Sequence, residues 1–281
     1  MKLFGGDWTK IKIEILVEYA KAYRTIMNKH KQYKTLYFDG FAGSGIIIRD
    51  NKTDIDFTIG AARRIVEIDN PMPFDSYYFV EKDPKSFRLL EKNTKGAFPH
   101  KTIHAICEDC NKKLIDLADF LRGPGNQNYR TLAYIDPCGM QVEWRSIEYV
   151  RGLPIDLWVL VPTGMGVNRL LGRGGNISDS WAERLERFLG LPREEIRKYF
   201  YSENETLFED IKSIEKERDA IGKSAVLYQK RLKEVFAYVS KPFELRNSAG
   251  SPMYHLFLGS NNQAAVKIGD DIVRKYNKYN G

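Results

Sequence analysis

Apolar residues recur at helical spacing near the start of the chain. Ile11, Ile15, Tyr19, Ala22 and Ile26 predict an amphipathic helix over residues 8–29 that covers a sheet. The period then changes. Thr35-Leu-Tyr-Phe-Asp39 is a short β-rich run ending in an acid and a glycine turn, and it reads as a buried strand. The segment 46–57 delays the next helical stretch, Thr58–Ile68, which is unusual after a nucleotide-binding turn. Further strands are predicted at Tyr77–Glu81, Thr102–Ile106, Thr131–Asp136 and Ile155–Val161, with helix-like segments such as Lys85–Asn93 and Lys112–Leu121 between several of them. Such alternation means parallel strands joined by helical crossovers. Gly123-Pro-Gly-Asn-Gln-Asn128 reads as the loop before the fourth strand.

From about Gly164 to Ser240 the pattern is mostly helical, and Ile211, Ile214, Ile221, Ala225, Tyr228, Leu232 and Val239 mark one long helix or a pair kinked near Gly222. Two last strands, Phe243–Arg246 and Met253–Gly259, flank the turn Asn247-Ser-Ala-Gly-Ser-Pro252, and a helix runs from Asn262 to about Tyr276. Three parts follow: a core with its N-terminal helix over 1–163, a helical insertion over 164–240, and a strand pair with a helix over 241–281 that completes the core.

Length and composition fit one large α/β domain, or one such domain with a helical insertion, because 281 residues bury a substantial core. With 43% apolar and 29% charged residues, wholesale disorder is excluded. No segment approaches the ~18 uninterrupted apolar residues of a membrane span. The start, MKLFGGDWTKIK, lacks the apolar core of a signal peptide, so a soluble cytoplasmic protein without a membrane partner is expected. Cys107, Cys110 and Cys138 cannot all pair and lack a fourth ligand for structural zinc; they read as buried or strand-end thiols, and no metal is expected. The net charge of +7 points to a polyanionic partner. Residues 1–36 hold eight Lys/Arg against three acids, so much of the excess sits at the front, where nucleic-acid contact and a solvated helix face explain it equally well.

In open α/β sheets ligands sit at the carboxyl ends of strands, where the winding direction reverses. Here the strand ends carry acids: Asp39, Glu81, Asp109 just past the third strand, and Asp136. Carboxylates accept from hydroxyls, amines and an adenine amino group, whereas a phosphate ligand would call for Lys, Arg and free amides. The turn Asp39-Gly-Phe-Ala-Gly-Ser-Gly45 lacks the third glycine of G-x-G-x-x-G, and no P-loop occurs. These acids point to S-adenosylmethionine. Asp39, Phe41, Ala42, Gly43 and Gly45 form its turn, Glu81 accepts from the ribose hydroxyls, and Asp109 meets the adenine amino group or caps the following helix. Asp83-Pro84 reads as a helix start. Asp136-Pro137-Cys138-Gly139 is the candidate for the reacting centre, with Asp136 and Pro137 as catalytic residues. It is similar to the [DNS]-P-P-[YF] signature of amino-methyltransferases, with Cys138 and Gly139 in place of the second proline and the aromatic. Trp144 is a candidate stacking face, with a core role the commoner alternative.

Taken in order, Asp7-Trp-Thr-Lys10, Tyr37-Phe-Asp-Gly-Phe-Ala-Gly-Ser-Gly45, Phe79-Val-Glu-Lys82, Tyr134-Ile-Asp-Pro-Cys-Gly139 with Trp144, Asp156–Pro162, Arg246-Asn-Ser-Ala-Gly250 and Tyr254-His-Leu-Phe257 make the chain resemble the three-Cys-motif partner proteins, TcmP. The resemblance spans nearly the whole length. It implies a Rossmann-like methyltransferase fold, a seven-stranded mostly parallel sheet with an antiparallel last strand. It also implies S-adenosylmethionine as cofactor and a separate three-cysteine protein as partner. The family pattern has Phe after Asp-Pro where this chain has Cys138. The expected activity is methyl transfer to nucleic acid, DNA or RNA. The alternatives are a non-catalytic S-adenosylmethionine-binding or scaffold protein, and a methyltransferase acting on the three-cysteine partner.

Overall fold

The computed structural model describes residues 7–45, 60–172, 177–205 and 212–277. The segment 46–57, Lys2 and Ile211 lie outside these residues. One sheet organises the fold. Its parallel block holds β1 (Lys34–Asp39), β2 (Ser76–Val80), β3 (Ile103–Ile106), β4 (Tyr129–Ile135) and β5 (Ile155–Val161), in the order β3-β2-β1-β4-β5. Beyond β5 lies β10 (Pro252–Ser260), which runs antiparallel to it. The far edge of β10 is shared by β8 (Tyr238–Val239), against Gly259 and Ser260, and β9 (Phe243–Arg246), against residues 252–256. Eight strands therefore fill seven positions, one more strand than expected, because the outermost position is interrupted. The result is a mixed α/β Rossmann-like sheet, dominated by parallel strands, with the antiparallel β10 between β5 and the edge.

Strand alternation sends successive side chains to opposite faces, and each face has its own core. Phe38, Ala133, Ile135, Leu157 and Val159 face α4 (Cys110–Arg122), α7 (Asp179–Leu189) and α9 (Ala220–Val235). Tyr37, Leu132, Tyr134, Trp158 and Leu160 face α1 (Asp7–Met27), α2 (Ala61–Val66) and α10 (Gln263–Tyr276). Helix α1 buries Ile11, Ile15, Leu16, Tyr19 and Tyr23 on this second face. Polar bonds fix its register: Tyr19 Oη donates to Asp156 Oδ2 at 2.8 Å, Arg64 pairs with Glu14 at 2.7 Å, and Lys275 pairs with Glu18 at 2.7 Å. The helix α3 (Pro84–Glu91) begins at Asp83, whose carboxylate accepts from Ser86 N at 2.8 Å, so the predicted helix start stands.

The remaining elements are α5 (Trp144–Glu148), α6 (Asn168–Leu170), which follows a π-helical turn over Thr163–Val167, α8 (Arg193–Phe200), and the hairpin of β6 (Tyr201–Glu205) and β7 (Lys212–Lys216). This hairpin corrects the expected continuous helix through Ile214. Helix α9 starts only at Ala220, where Asp219 caps the amide of Gly222 at 3.0 Å. A five-residue strand with a single apolar residue fits period 2 and period 3.6 equally, so spacing alone could not separate them. Among the described residues, no helix is long and apolar enough to cross a membrane.

Candidate functional site

A cleft of about 850 Å³ opens where all five parallel strands end. Gly40, Phe41 and Gly43 follow β1, Glu81 and Lys82 follow β2, and Glu108 to Asn111 follow β3. Asp136 and the loop from Cys138 to Gln141 follow β4, and Met165, Gly166 and Arg169 follow β5. The chain winds outward through β2 and β3 on one side of β1 and through β4 and β5 on the other, so the cleft sits at the topological switch point.

The turn after β1 is shaped from below. Gly43 and Gly45 take positive φ, +61° and +72°, which a side chain would strain. A Cβ on Gly43 would meet nothing within 4 Å, leaving its backbone open to the cleft. A Cβ on Gly40 would instead stand 2.3 Å from Cys110 Sγ, so Cys110 packs beneath the turn as a core thiol. Ala42 N donates to Val80 O at 3.0 Å, and Asn93 Nδ2 donates to Ser44 O at 3.0 Å, which ties the turn to β2 and to the π-helical turn Lys92–Gly96 that follows α3. Asp39 lies behind the turn and not on its cleft face. The residue is 1% exposed, and Oδ1 accepts from Phe41 N at 3.1 Å. Burial pushes this carboxyl up to about 8, with the charges of Asp136 and Glu81 adding to the rise against the hydrogen bond from Phe41.

The other acids face the cleft. Glu81 Oε1 accepts from Asp83 N at 2.7 Å, which orients the carboxylate at the end of β2. Asp109 both lines the cleft and caps α4: it accepts from Asn111 N at 2.9 Å and pairs with Lys82 at 3.0 Å. Against its partial burial, Lys82 and the Asn111 amide hold its carboxyl below the usual range. Asp136 Oδ2 accepts from Lys12 Nζ at 2.5 Å and from Tyr134 Oη at 3.0 Å. Pro137 is buried beside it and does not line the cleft. Cys138 is an exposed residue whose thiol is partly covered, and that burial and the Asp136 charge raise its pKa, so it stays protonated near neutrality.

Three features were not read from the sequence. Lys12 reaches Asp136 from α1, 124 residues away, with its ammonium 5.0 Å over the Trp8 ring. Asn111 holds the β4–α5 loop: its amide donates to Gln141 O at 2.9 Å, and its Oδ1 accepts from Glu143 N at 2.8 Å and Ser146 Oγ at 2.9 Å. Trp181, Arg184 and Arg187 of α7 form the wall facing the acids. A signal for α7 existed, since Ala182, Leu185, Phe188 and Leu189 recur at helical spacing and mark its buried stripe. Trp144 is 2% exposed, edge-on to Tyr228 at 5.8 Å, and is a core residue. The basic front is also partly spent: Lys12 serves Asp136, and Arg24 is buried, donating to Thr35 Oγ1 at 2.5 Å.

No family model matches the chain, and no curated protein matches it. Among solved structures, protein LPL1258 from Legionella pneumophila, carrying the family model DUF519, superposes with a TM-score of 0.53 at 15% identity, over 98% of this chain and 94% of that one. Trm1 from Pyrococcus horikoshii, solved with S-adenosyl-L-methionine, gives 0.45 at 12% identity, over 96% of this chain and 59% of that one. The plantazolicin methyltransferase BpumL, solved with a triazolic desmethylPZN analog and SAH, gives 0.33 at 10% identity, over 89% and 86%. The likeness to LPL1258 establishes the fold.

Proposed function

We propose that the chain is a cytoplasmic S-adenosylmethionine-dependent methyltransferase acting on nucleic acid. The observation that carries the reading is the cleft itself. One glycine turn with an open backbone and three carboxylates, Glu81, Asp109 and Asp136, converge from consecutive strand ends on about 850 Å³ of space at the switch point. That volume lies in the range of small-molecule sites, roughly 300–1,000 Å³. The donor set fits the cofactor: a carboxylate accepts from ribose hydroxyls, from an amino-acid ammonium and from an adenine amino group, and Phe41 adds an apolar face. In this reading Glu81 takes the ribose, Asp109 the adenine edge, and Gly43 allows close backbone approach. Asp39, Ala42 and Gly45 hold the turn's shape.

When bound, the sulfonium supplies the methyl group. The protein's task is alignment and a place for the substrate's proton. Asp136 stands at the end of β4 with Oδ2 shared by Lys12 and Tyr134, which fixes the carboxylate's orientation toward the cleft. Titration calorimetry with S-adenosylhomocysteine tests the cofactor, and transfer of a labelled methyl group to RNA and DNA, lost in Asp136→Ala, tests the chemistry. The absence of cofactor binding would sink the proposal.

A second reading has one observation in its favour. Lys12 already neutralises Asp136, and Cys138-Gly139 replace a proline and an aromatic, so a cofactor-binding scaffold for a three-cysteine partner, or a methyltransferase acting on that partner, is the alternative. Cofactor binding without transfer to any nucleic acid would favour it.

A further inference from the structure

The cleft has two chemically opposite sides. Glu81, Glu108, Asp109 and Asp136 lie at the strand ends. Facing them are Arg184 and Arg187 on α7 and Arg169 on α6. Along α7, Trp181, Arg184 and Arg187 follow one another three residues apart and line the cleft, flanking the buried Leu185, Phe188 and Leu189. Trp181 is 41% exposed, whereas Trp144 and Trp158 are nearly fully buried. The part of the Trp181 indole that is left uncovered lies at the cleft wall, where it offers an apolar face to a ligand. Arg169 and Arg184 have no carboxylate partner among the described residues. The nearest carboxylate to Arg187 is Glu143 at 3.9 Å, and Glu143 is held at 2.6 Å by Arg145.

We propose that this wall binds an unpaired nucleic-acid strand, with Trp181 stacking on a base and Arg169 and Arg184 contacting phosphates. The inference rests on the nucleic-acid reading above and locates its substrate site away from the N-terminal basic residues. Guanidinium groups suit phosphate because they donate in a planar fork, and the acids opposite repel the backbone and keep it on the arginine side. A base inside a duplex is stacked and cannot present its edge in a concave site, so a strand reacting here has its target base unstacked. An exposed indole replaces the lost stacking for any base, which predicts tolerance of sequence at that position.

The test is fluorescence anisotropy of the full chain with labelled oligouridylate, oligodeoxythymidylate, a duplex of matched length and polyglutamate, at two salt concentrations. Trp181→Ala weakens single-strand binding by about 5- to 150-fold, and Trp181→Phe restores most of it. The double variant Arg169→Ala/Arg184→Ala lowers the salt slope by about 1.4, at ~0.7 per phosphate contact on a single strand. Arg274→Ala, on α10 outside the cleft, changes neither. Circular dichroism confirms that each variant is folded. Equal affinity for duplex or polyglutamate, or single-strand binding unmoved by the wall variants, overturns the inference. Wild-type calorimetry with S-adenosylhomocysteine separates the two claims: cofactor binding without oligonucleotide binding overturns this site alone, and wall-dependent oligonucleotide binding without cofactor binding supports it while overturning the cofactor reading.

Discussion

Replacing Asp39 by asparagine should stabilise the protein by an amount that grows as pH rises from about 4 to about 8. In the fold this carboxyl is pushed up to about 8, from an ordinary 3.8. Between those values the native state holds a proton that the unfolded chain has lost, so stability falls as pH rises and levels off above about 8. At roughly 1.4 kcal/mol per unit, the burden on the wild type reaches on the order of 4 kcal/mol at pH 7. Asparagine carries no such charge. Its Oδ1 still accepts from Phe41 N, the bond now made at 3.1 Å, and its Nδ2 faces the Tyr37 hydroxyl, now 3.5 Å from Oδ2, as a donor. Urea unfolding of both proteins at about pH 5 and pH 8 should show the difference in their stabilities growing by about 4 kcal/mol across those three units. A difference that stays constant with pH would show that Asp39 is ionised in the fold, and the reasoning would fail.

Lys12→Met should destabilise the protein by about 2–3 kcal/mol, since the pair is only 10% and 17% exposed and its loss strands the Asp136 charge. Adding Asp136→Asn should recover part of that loss, and strictly additive effects in a double-mutant cycle would refute the coupling. Gly40→Ala would put a methyl 2.3 Å from Cys110 Sγ and 2.7 Å from Ile135 Cδ1, so about 1–3 kcal/mol should be lost in thermal unfolding. Cys110→Ala in that background should return part of it; no return would place the strain elsewhere. Burial lowers His255 to about 4, and its Nδ1 lies 2.7 Å from Thr163 Oγ1. The stability from its depressed pKa is complete above about 6.5 and is lost as pH falls toward 4. An NMR titration of the ring should show a midpoint well below 6.5, the ordinary value, and a midpoint at that value would disprove the burial argument.

The strands were legible because they are buried on both faces and read as continuous apolar runs; Ile155–Val161 is the clearest. The two-residue β8 and the hairpin through Ile214 were not, since neither is long enough to establish a period. Glu81, Asp109 and Asp136 could be read as strand-end acids because each follows such a run. The direction in which an end residue points could not. Asp39 turned inward under its loop while Asp136 met the cleft, and only the packed sheet decides between the two. Lys12 was read as part of a basic front because its partner lies 124 residues on, and the register of α1 across the sheet fixes that pairing.

The way α1 is held bears on how the molecule is made. Synthesis delivers α1 long before β4, yet Lys12 waits for Asp136, Tyr19 for Asp156, and Glu18 for Lys275, 257 residues later. The growing chain thus carries an amphipathic helix with a lysine that lacks its counter-ion, and the central strand β1 remains open on one side until β4 arrives to pair with it. The acid at the end of β4 and the lysine that orients it come together only after the sheet has closed over its own switch point. A nascent chain halted before β4 would have the glycine turn and Glu81 but no Asp136, a half-built cleft unable to act on whatever it bound.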